Sequence, residues 1–197
     1  MALTFRSSNF NGDAINESLS PFPPEGSRVT TSILEDIKQS RPFRSESHEA
    51  YVTLLRTADD AKRFVSQVLE PEGVTLQQYN VLRILRGAGE DGLPTLSVAE
   101  RMIERTPGVT RLIDRMERKG WVCRERCTQD RRRVWCRITD EGLDLLARLD
   151  GPMDAVDDIL AGVLEDAELR RLLDYLNRIR AHVRTVTGDE PGESTEV

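Results

Sequence analysis

The stretch that decides the fold runs from Thr106 to Thr139 and reads TPGVTRLIDRMERKGWVCRERCTQDRRRVWCRIT. The apolar residues of its first half recur at i, i+3, i+4 and i+7, namely Val109, Leu112, Ile113 and Met116. This spacing predicts one buried face of a short helix. The outer face of the same helix carries Thr110, Arg111, Arg115 and Arg118.

The residues that flank this helix are typical of helix ends. Pro107 suits the first helical turn, where its missing N–H costs nothing, and Thr106 precedes it as the expected N-cap. Gly120 stands where a C-cap belongs. Residues 121–127 and 133–139 then read as two short strands joined by a polar turn. A helix with an arginine-bearing face followed by a basic hairpin predicts a winged helix-turn-helix. In that motif the helix enters the major groove, and the hairpin tip reaches the backbone or the minor groove.

The charge of the chain is unevenly distributed. The net charge is −6 over 197 residues, but the segment from Pro94 to Thr139 holds twelve basic and six acidic residues. That segment therefore carries +6, and the remainder of the chain carries −12. A basic segment on an acidic body is typical of a DNA-reading module attached to another part of a protein.

Several other classes of protein are excluded by what the sequence lacks. It has no apolar run long enough to span a bilayer and no basic-then-apolar signal peptide, so we expect a cytoplasmic protein with no membrane partner. Three cysteines in a reducing compartment argue against a disulfide framework. The chain also lacks a G-x-G-x-x-G segment, a phosphate-binding loop and metal-type ligand spacing. We expect no enzyme activity, no cofactor and no metal site.

The predicted fold class is mainly α-helical with a small β-wing, in which a winged helix-turn-helix core is flanked by N- and C-terminal dimerisation helices. The predicted segments are an N-terminal arm over 1–45, largely disordered with a short helix at 30–39, a main domain over 46–187, and a disordered acidic tail over 188–197. Within the main domain the winged helix spans about 75–140, and the dimerisation helices span about 47–70 and 140–187.

Local signals place the helix ends within the main domain. Three threonines are the expected N-caps: Thr75, Thr95 and Thr139. Residues 87–92 read as a loop. The helix after the wing has an apolar face that begins with Leu143, Leu146 and Leu149. Pro152 follows Gly151 inside that helix, and we expect it to kink or break the helix because proline removes a hydrogen bond.

The long terminal helices carry more apolar surface than one small winged helix can cover. Exposed surface of this kind is an association site, so we expect a homodimer in which these helices intertwine. A two-fold dimer would present two recognition helices to successive major grooves, and its target would be a pseudo-palindromic duplex. The alternative is a monomeric helical bundle.

A family resemblance rests on five segments within residues 76–143. They are Leu96–Arg101 (LSVAER), Pro107–Arg115 (PGVTRLIDR), Lys119–Val122 (KGWV), Asp130–Arg132 (DRR) and Ile138–Gly142 (ITDEG). In this combination they resemble the winged-helix core of the MarR family of bacterial transcription regulators. Ile138 stands where the family usually has leucine. The resemblance implies a dimeric protein that binds double-stranded DNA.

The candidate DNA-binding residues follow from the residue types and from this resemblance. Thr110 and Arg111 are candidates for base contacts, because a guanidinium can donate two bonds to guanine and a threonine offers a hydroxyl and a methyl. Pro107 and Gly108 let the helix N-terminus approach a phosphate. The remaining candidates are Arg115 and Ser97 for phosphate contacts and, by the resemblance, the wing arginine Arg132 with Asp130 orienting it. For Ser97 a capping or turn role is an equal alternative.

The resemblance also implies an effector, since family members commonly bind small aromatic or anionic molecules between the helical dimer region and the winged helix. The candidate lining residues are Tyr51, Leu55, Tyr79 and Arg83, with His48 a weaker candidate. The alternative for the two tyrosines is an ordinary place in the core.

The three cysteines suggest a second kind of switch. Cys123, Cys127 and Cys136 all fall in the predicted wing strands, where nearby arginines would lower the pKa of a thiol and favour the reactive thiolate. The alternative is that they are small apolar residues filling strand positions. Oxidant-sensing family members typically carry the reactive cysteine in the first helix, where this chain has none.

The function that best accounts for these features is a homodimeric, sequence-specific transcription regulator, a repressor released by a small-molecule effector. One alternative is a redox-responsive regulator that uses the wing cysteines. Another is a winged-helix module that binds protein rather than DNA.

Overall fold

The computed structural model describes residues 31–104, 108–126 and 134–188, without the side chains of Arg126, Leu160 and Ala161. All elements below lie in the part of the chain that begins at Ser32. Several sequence predictions fall outside the described residues: most of the N-terminal arm, the acidic tail, Thr106, Pro107, Cys127, Asp130 and Arg132.

The described residues form seven α-helices and one small sheet. The helices are α1 (Ile33–Asp36), α2 (Glu46–Leu69), α3 (Leu76–Ala88), α4 (Thr95–Arg101), α5 (Val109–Arg118), α6 (Asp140–Ala161) and α7 (Asp166–Thr187). The strands are β1 (Leu93–Pro94), β2 (Val122–Arg126) and β3 (Val134–Ile138), in the antiparallel order β1-β3-β2. The predicted fold class is confirmed. None of the helices in the described part of the chain is long and apolar enough to cross a membrane.

The recognition helix α5 has the predicted buried face. Val109, Leu112, Ile113 and Met116 are all buried in the central core. They share one core cluster with the largest fully buried side chains of α3 and α6, which are Leu82, Leu85, Leu145, Leu146 and Leu149. Because these contacts hold one side of α5, they determine which of its side chains remain outside.

The start of α5 differs from the prediction, and its end agrees with it. The helix begins at Val109 with Gly108 as the N-cap residue, so Thr106 is not the N-cap. At the other end Gly120 has φ of +76°, and its N–H donates to the Glu117 carbonyl. The Trp121 N–H donates to the Met116 carbonyl, which completes a Schellman motif.

Two of the three predicted threonine caps are present. The Thr75 hydroxyl accepts from the Gln78 N–H, and the Gln78 side chain accepts from the Thr75 N–H, forming a capping box. The Thr139 hydroxyl accepts from the Gly142 N–H at the start of α6. Thr95 is not a cap, because Pro94 occupies the N-cap position and the Thr95 hydroxyl donates to the Val134 carbonyl of β3 instead.

Pro152 does not break α6, which was one of the two effects predicted for it. The helix runs without a break from Asp140 to Ala161 with Pro152 inside it. A proline removes only one backbone donor, and the preceding turns of α6 are anchored in the core by Leu145, Leu146 and Leu149. The apolar face is also shifted from the prediction, since Leu145 is buried and Leu143 is 39% exposed.

The segment predicted as a loop contains the end of α3 and leads into β1. Helix α3 continues to Ala88, a 3₁₀ turn covers Gly89–Asp91, and Leu93 and Pro94 then pair with Cys136 and Trp135 of β3. Gly92 has φ of +69°, and a Cβ there would lie 2.4 Å from the Cys136 carbonyl oxygen. Only glycine therefore allows this close approach of the chain to β3.

Gly142 is a second position where a side chain does not fit. It provides a test of the packing between α6 and Trp121, the residue that precedes β2. A Cβ there would lie 2.3 Å from the Trp121 carbonyl oxygen. We expect Gly142→Ala to lower the free energy of unfolding by about 1–3 kcal/mol through overpacking. The measurement is urea denaturation followed by circular dichroism at equal protein concentrations.

Gly87→Ala is the matched control, because Gly87 also lies in a helix but a Cβ there would have no atom within 4 Å. This substitution should raise the free energy of unfolding by about 0.5–1 kcal/mol, since alanine is the better helix former. Equal changes in the two variants would contradict the described packing of Gly142.

Candidate nucleic-acid interface

The outer face of α5 presents its polar side chains to solvent. Thr110, Arg111, Arg115 and Arg118 are all exposed, as the helical spacing predicts. The Arg118 Nε donates to the Asp114 carbonyl at 3.3 Å. Within the described parts of the chain, the side chains of Arg111 and Arg115 have no hydrogen bond or ion pair. Their guanidinium donors are therefore available to an external acceptor.

A groove of about 800 Å³ lies beside the start of α5. Its lining includes Leu96 and Ser97 of α4, Gly108 and Thr110 at the start of α5, and Arg124 of β2. The structure thus brings together three of the predicted DNA-contacting residues, Ser97, Gly108 and Thr110. The unpaired N–H groups of a helix N-terminus favour a negatively charged group such as a phosphate.

Arg124 fixes the wing to the recognition helix, a role that the sequence analysis missed. Its Nη1 lies 2.7 Å from the Asp114 Oδ1, and its Nη2 lies 2.6 Å from the Glu117 Oε2. The Nε donates to the same Glu117 oxygen at 3.0 Å. The hydrogen bond with Glu117 is the main reason that the pKa of Arg124 is raised. Because two carboxylates of α5 occupy its donors, Arg124 holds the wing strand β2 against α5.

The alternation of side chains along β2 is the sequence feature that could have identified the inward position of Arg124. Val122 and Arg124 share a face of β2, and their partners on β3 are Ile138 and Cys136. Val122 and Cys136 are buried, so this is the inner face of the sheet. An arginine at an inward strand position requires a carboxylate partner. Asp114 and Glu117, three residues apart on α5, supply it.

The outer face of the wing strands carries a separate ion pair, between Arg137 and Glu125. The Arg137 Nε also donates to the Asp91 carbonyl at 3.4 Å. The predicted wing-tip residues Asp130 and Arg132 lie outside the described residues, as does Pro107 at the helix start.

The environment of Cys136 corrects the prediction of an arginine-activated thiol at that position. Cys136 is fully buried, and burial raises the pKa of its thiol despite the opposing influence of the Thr95 hydroxyl and Arg124. Cys123 is half-buried and pairs with Arg137, whereas Cys136 pairs with Arg124, so the two cysteines occupy opposite faces of the sheet. Both are free thiols, and Cys127 lies outside the described residues.

The structure brings together only two of the four candidate effector residues. The Arg83 Nη1 donates to the Tyr79 hydroxyl at 3.3 Å, and this bond is the main reason that the pKa of Arg83 is raised. Tyr79 is buried, and Arg83 is exposed. Tyr51 and Leu55 are 60% and 54% exposed on α2. In the described residues no hydrogen bond, ion pair or ring contact joins them to Tyr79 or Arg83.

The weaker effector candidate, His48, lies at the start of α2. Its ring packs edge-on against Phe43 with the ring centroids 5.3 Å apart. Its Nδ1 atom is buried and has no hydrogen-bond partner in the described residues. The structure gives this histidine an aromatic neighbour and no contact with Tyr79 or Arg83.

A helix-turn-helix with an exposed arginine face, joined to a two-stranded wing by an internal ion-pair cluster, defines a winged-helix DNA-binding protein. The sequence profile of the MarR family matches residues 74–134. The chain is 37% identical to a MarR transcription factor from Planctomyces limnophilus of known crystal structure, with a TM-score of 0.54 and coverage of 69% of this chain and 98% of that one. The chain belongs to the MarR family of transcription regulators, which are DNA-binding proteins and not enzymes.

Two further relatives are informative about the family. The chain is 39% identical over 74 residues to the transcriptional repressor MdtR of Bacillus subtilis, covering 38% of this chain and 46% of MdtR. It is 27% identical to MepR of S. aureus in a DNA complex, with a TM-score of 0.62 and coverage of 67% of this chain and 97% of MepR. The resemblance to the MarR family is thereby confirmed.

The contrast between Cys123 and Cys136 gives a direct test of the wing environment. We expect iodoacetamide at mildly alkaline pH to modify Cys136 at least about tenfold more slowly than Cys123, because a buried thiol with a raised pKa is rarely a thiolate. Mass spectrometry after trypsin cleavage separates the two sites, since Cys123 falls in the peptide 120–124 and Cys136 in the peptide 134–137. Denaturing urea should abolish the difference. Rapid modification of Cys136 in the folded protein would contradict the described burial.

Proposed function

We propose that the protein is a homodimeric, sequence-specific DNA-binding repressor that a small-molecule effector releases from its operator. The observation that carries the proposal is the outer face of α5. Arg111 and Arg115 are exposed there and unpaired within the described residues, on a helix whose opposite face is anchored in the core. A rigid helix with free guanidinium groups suits the major groove.

Each candidate residue has a proposed role on DNA. Thr110 and Arg111 contact base edges in the major groove. Arg115, Ser97 and the N-terminus of α5 at Gly108 contact phosphates and so fix the position of the helix. Three residues outside the described part of the chain complete the proposal, with Pro107 beside the helix start, Arg132 in the minor groove and Asp130 orienting Arg132.

The uncovered apolar surface of α7 supports a homodimer. Leu173, Ile179 and Val183 are 53%, 49% and 53% exposed, although they follow the helical spacing of a buried face. No residue of α7 is buried within the single chain. A second copy that packs against α7 and the exposed part of α2 would cover this surface, and its two-fold axis would present two recognition helices to a pseudo-palindromic operator.

The name of the relative MdtR, a transcriptional repressor, supports the repressor assignment. For the effector we propose a small aromatic or anionic molecule. The pairing of Arg83 with Tyr79 supports this class, because a guanidinium beside an aromatic ring can bind a carboxylate and stack on a flat molecule. Tyr51 and Leu55 of α2 would complete the site.

The test is titration of the protein against DNA from upstream of its own gene, measured by fluorescence anisotropy at several salt concentrations. We expect tight binding that weakens steeply with salt, since phosphate contacts release counterions. Arg111→Ala should weaken specific binding by about 10- to 100-fold, because it removes a contact of the kind that discriminates bases.

Arg171→Ala is the matched control. Arg171 is also exposed and has no side-chain partner within the described residues, but it lies on α7 away from the apolar stripe. Its loss removes the same charge and should change the affinity by less than about twofold. Weak, salt-insensitive binding that does not depend on Arg111 would refute the proposal and favour the protein-binding module.

A further inference from the structure

Two polar contacts connect Lys62 of α2 and Gly73 after α2 with residues on either side of α5. The Lys62 ammonium group forms an ion pair with the Glu104 carboxylate, four residues before the N-cap residue Gly108. At the opposite end of α5, the Lys119 Nζ donates to the Gly73 carbonyl at 3.0 Å and lies 4.1 Å from the centroid of the Trp121 ring. The chain between Lys62 and Gly73 therefore has one polar contact before α5 and one directly after it.

These contacts matter because the packed part of α2 lies toward its C-terminal end, where Leu69 is buried and Val65 packs against the core. All of α2 is described, and Leu69 in its last turn is its only buried residue. The chain turns immediately afterwards at Gly73, which has φ of +63°. Lys62 lies about two turns before Leu69 and about one turn before Val65, so its ion pair acts just beyond the packed end of the helix. A contact in that position limits the angle between α2 and the helix-turn-helix.

Close packing does not replace this restraint. A cleft of about 470 Å³ separates the two parts, and its lining includes Lys62, Ser66 and Glu70 of α2, Thr75 at the start of α3, and Glu104. Lys62 and Glu104 meet across this cleft. The Lys62–Glu104 ion pair is therefore one restraint on the angle of α2 at this point.

We propose that Lys62 and Lys119 are positioning residues that set the separation of the two recognition helices in the dimer. The inference rests on the proposed function, in which α2 belongs to the dimer platform and α5 enters the major groove. If the angle between them is restrained, the two recognition helices match half-sites at only one spacing. An effector that alters the angle of α2 would act on the operator through the same two contacts.

The experiment measures the spacing preference of the protein rather than its affinity alone. The probe is the duplex that the wild-type protein protects from nuclease, with one base pair inserted or removed at its centre. We expect the wild type to discriminate strongly against both altered duplexes. Lys62→Met should reduce that discrimination by about two- to fivefold, the effect of losing one partly exposed ion pair. Lys119→Met should act in the same direction.

Arg63→Met is the matched control. Arg63 neighbours Lys62 in sequence and is also ion-paired, but its partners Asp59 and Asp60 lie on α2 itself. It should keep the wild-type spacing preference. The double variant Lys62→Glu, Glu104→Lys reverses the pair and should restore the preference lost in Lys62→Met.

Four outcomes would overturn the inference. An unchanged spacing preference in Lys62→Met would show that the ion pair does not restrain the angle. A lower salt dependence with an unchanged preference would show that Lys62 contacts a phosphate instead. Failure of the charge reversal to restore the preference would remove Glu104 as the partner through which Lys62 acts. Absence of DNA binding by the wild type would refute the proposed function itself, and the inference with it.

Discussion

Burial of one face of α5 is the constraint on which the rest of the interface depends. Each of its four apolar residues contributes about 1.5–3 kcal/mol when it leaves water, so the helix cannot rotate about its axis without losing most of that free energy. The outward direction of Thr110, Arg111 and Arg115 follows from this anchoring and needs no contact of their own. The Schellman motif at Gly120 then ends the helix and directs the chain into β2.

Features that depend on local chemistry could be predicted from the sequence. The face of α5, the C-terminal glycine Gly120 and the capping threonines Thr75 and Thr139 all involve residues within a few positions of one another. Hydrophobic periodicity and capping preferences act over this range, so they retain their meaning in a single sequence. The same holds for the exposed arginines, whose position is set by the buried residues between them.

Features that depend on pairing between distant segments could not be predicted. Strand β1 has two residues and exists only because β3 lies beside it, more than forty positions later. Thr95 has the composition of a cap, but its hydroxyl is used by the Val134 carbonyl of that same strand. The burial of Cys136, which raises the pKa of its thiol, likewise follows from the position of β3 in the core. In each case the local sequence has the preference that the prediction used, but a contact with the distant strand β3 determines the structure instead.

The arginines of the basic segment divide into two groups with opposite uses. Arg124 and Arg137 are paired with carboxylates, so they join α5 and the wing strands and add little to the field that DNA would meet. Arg111 and Arg115 keep their charge uncompensated by any partner in the described residues. In the described part of Pro94–Thr139, the positive charge open to an external acceptor therefore lies on unpaired side chains such as these two. The remainder of the chain carries −12, which weakens sequence-independent attraction to DNA, so the affinity of such a protein depends more on specific contacts than on overall charge.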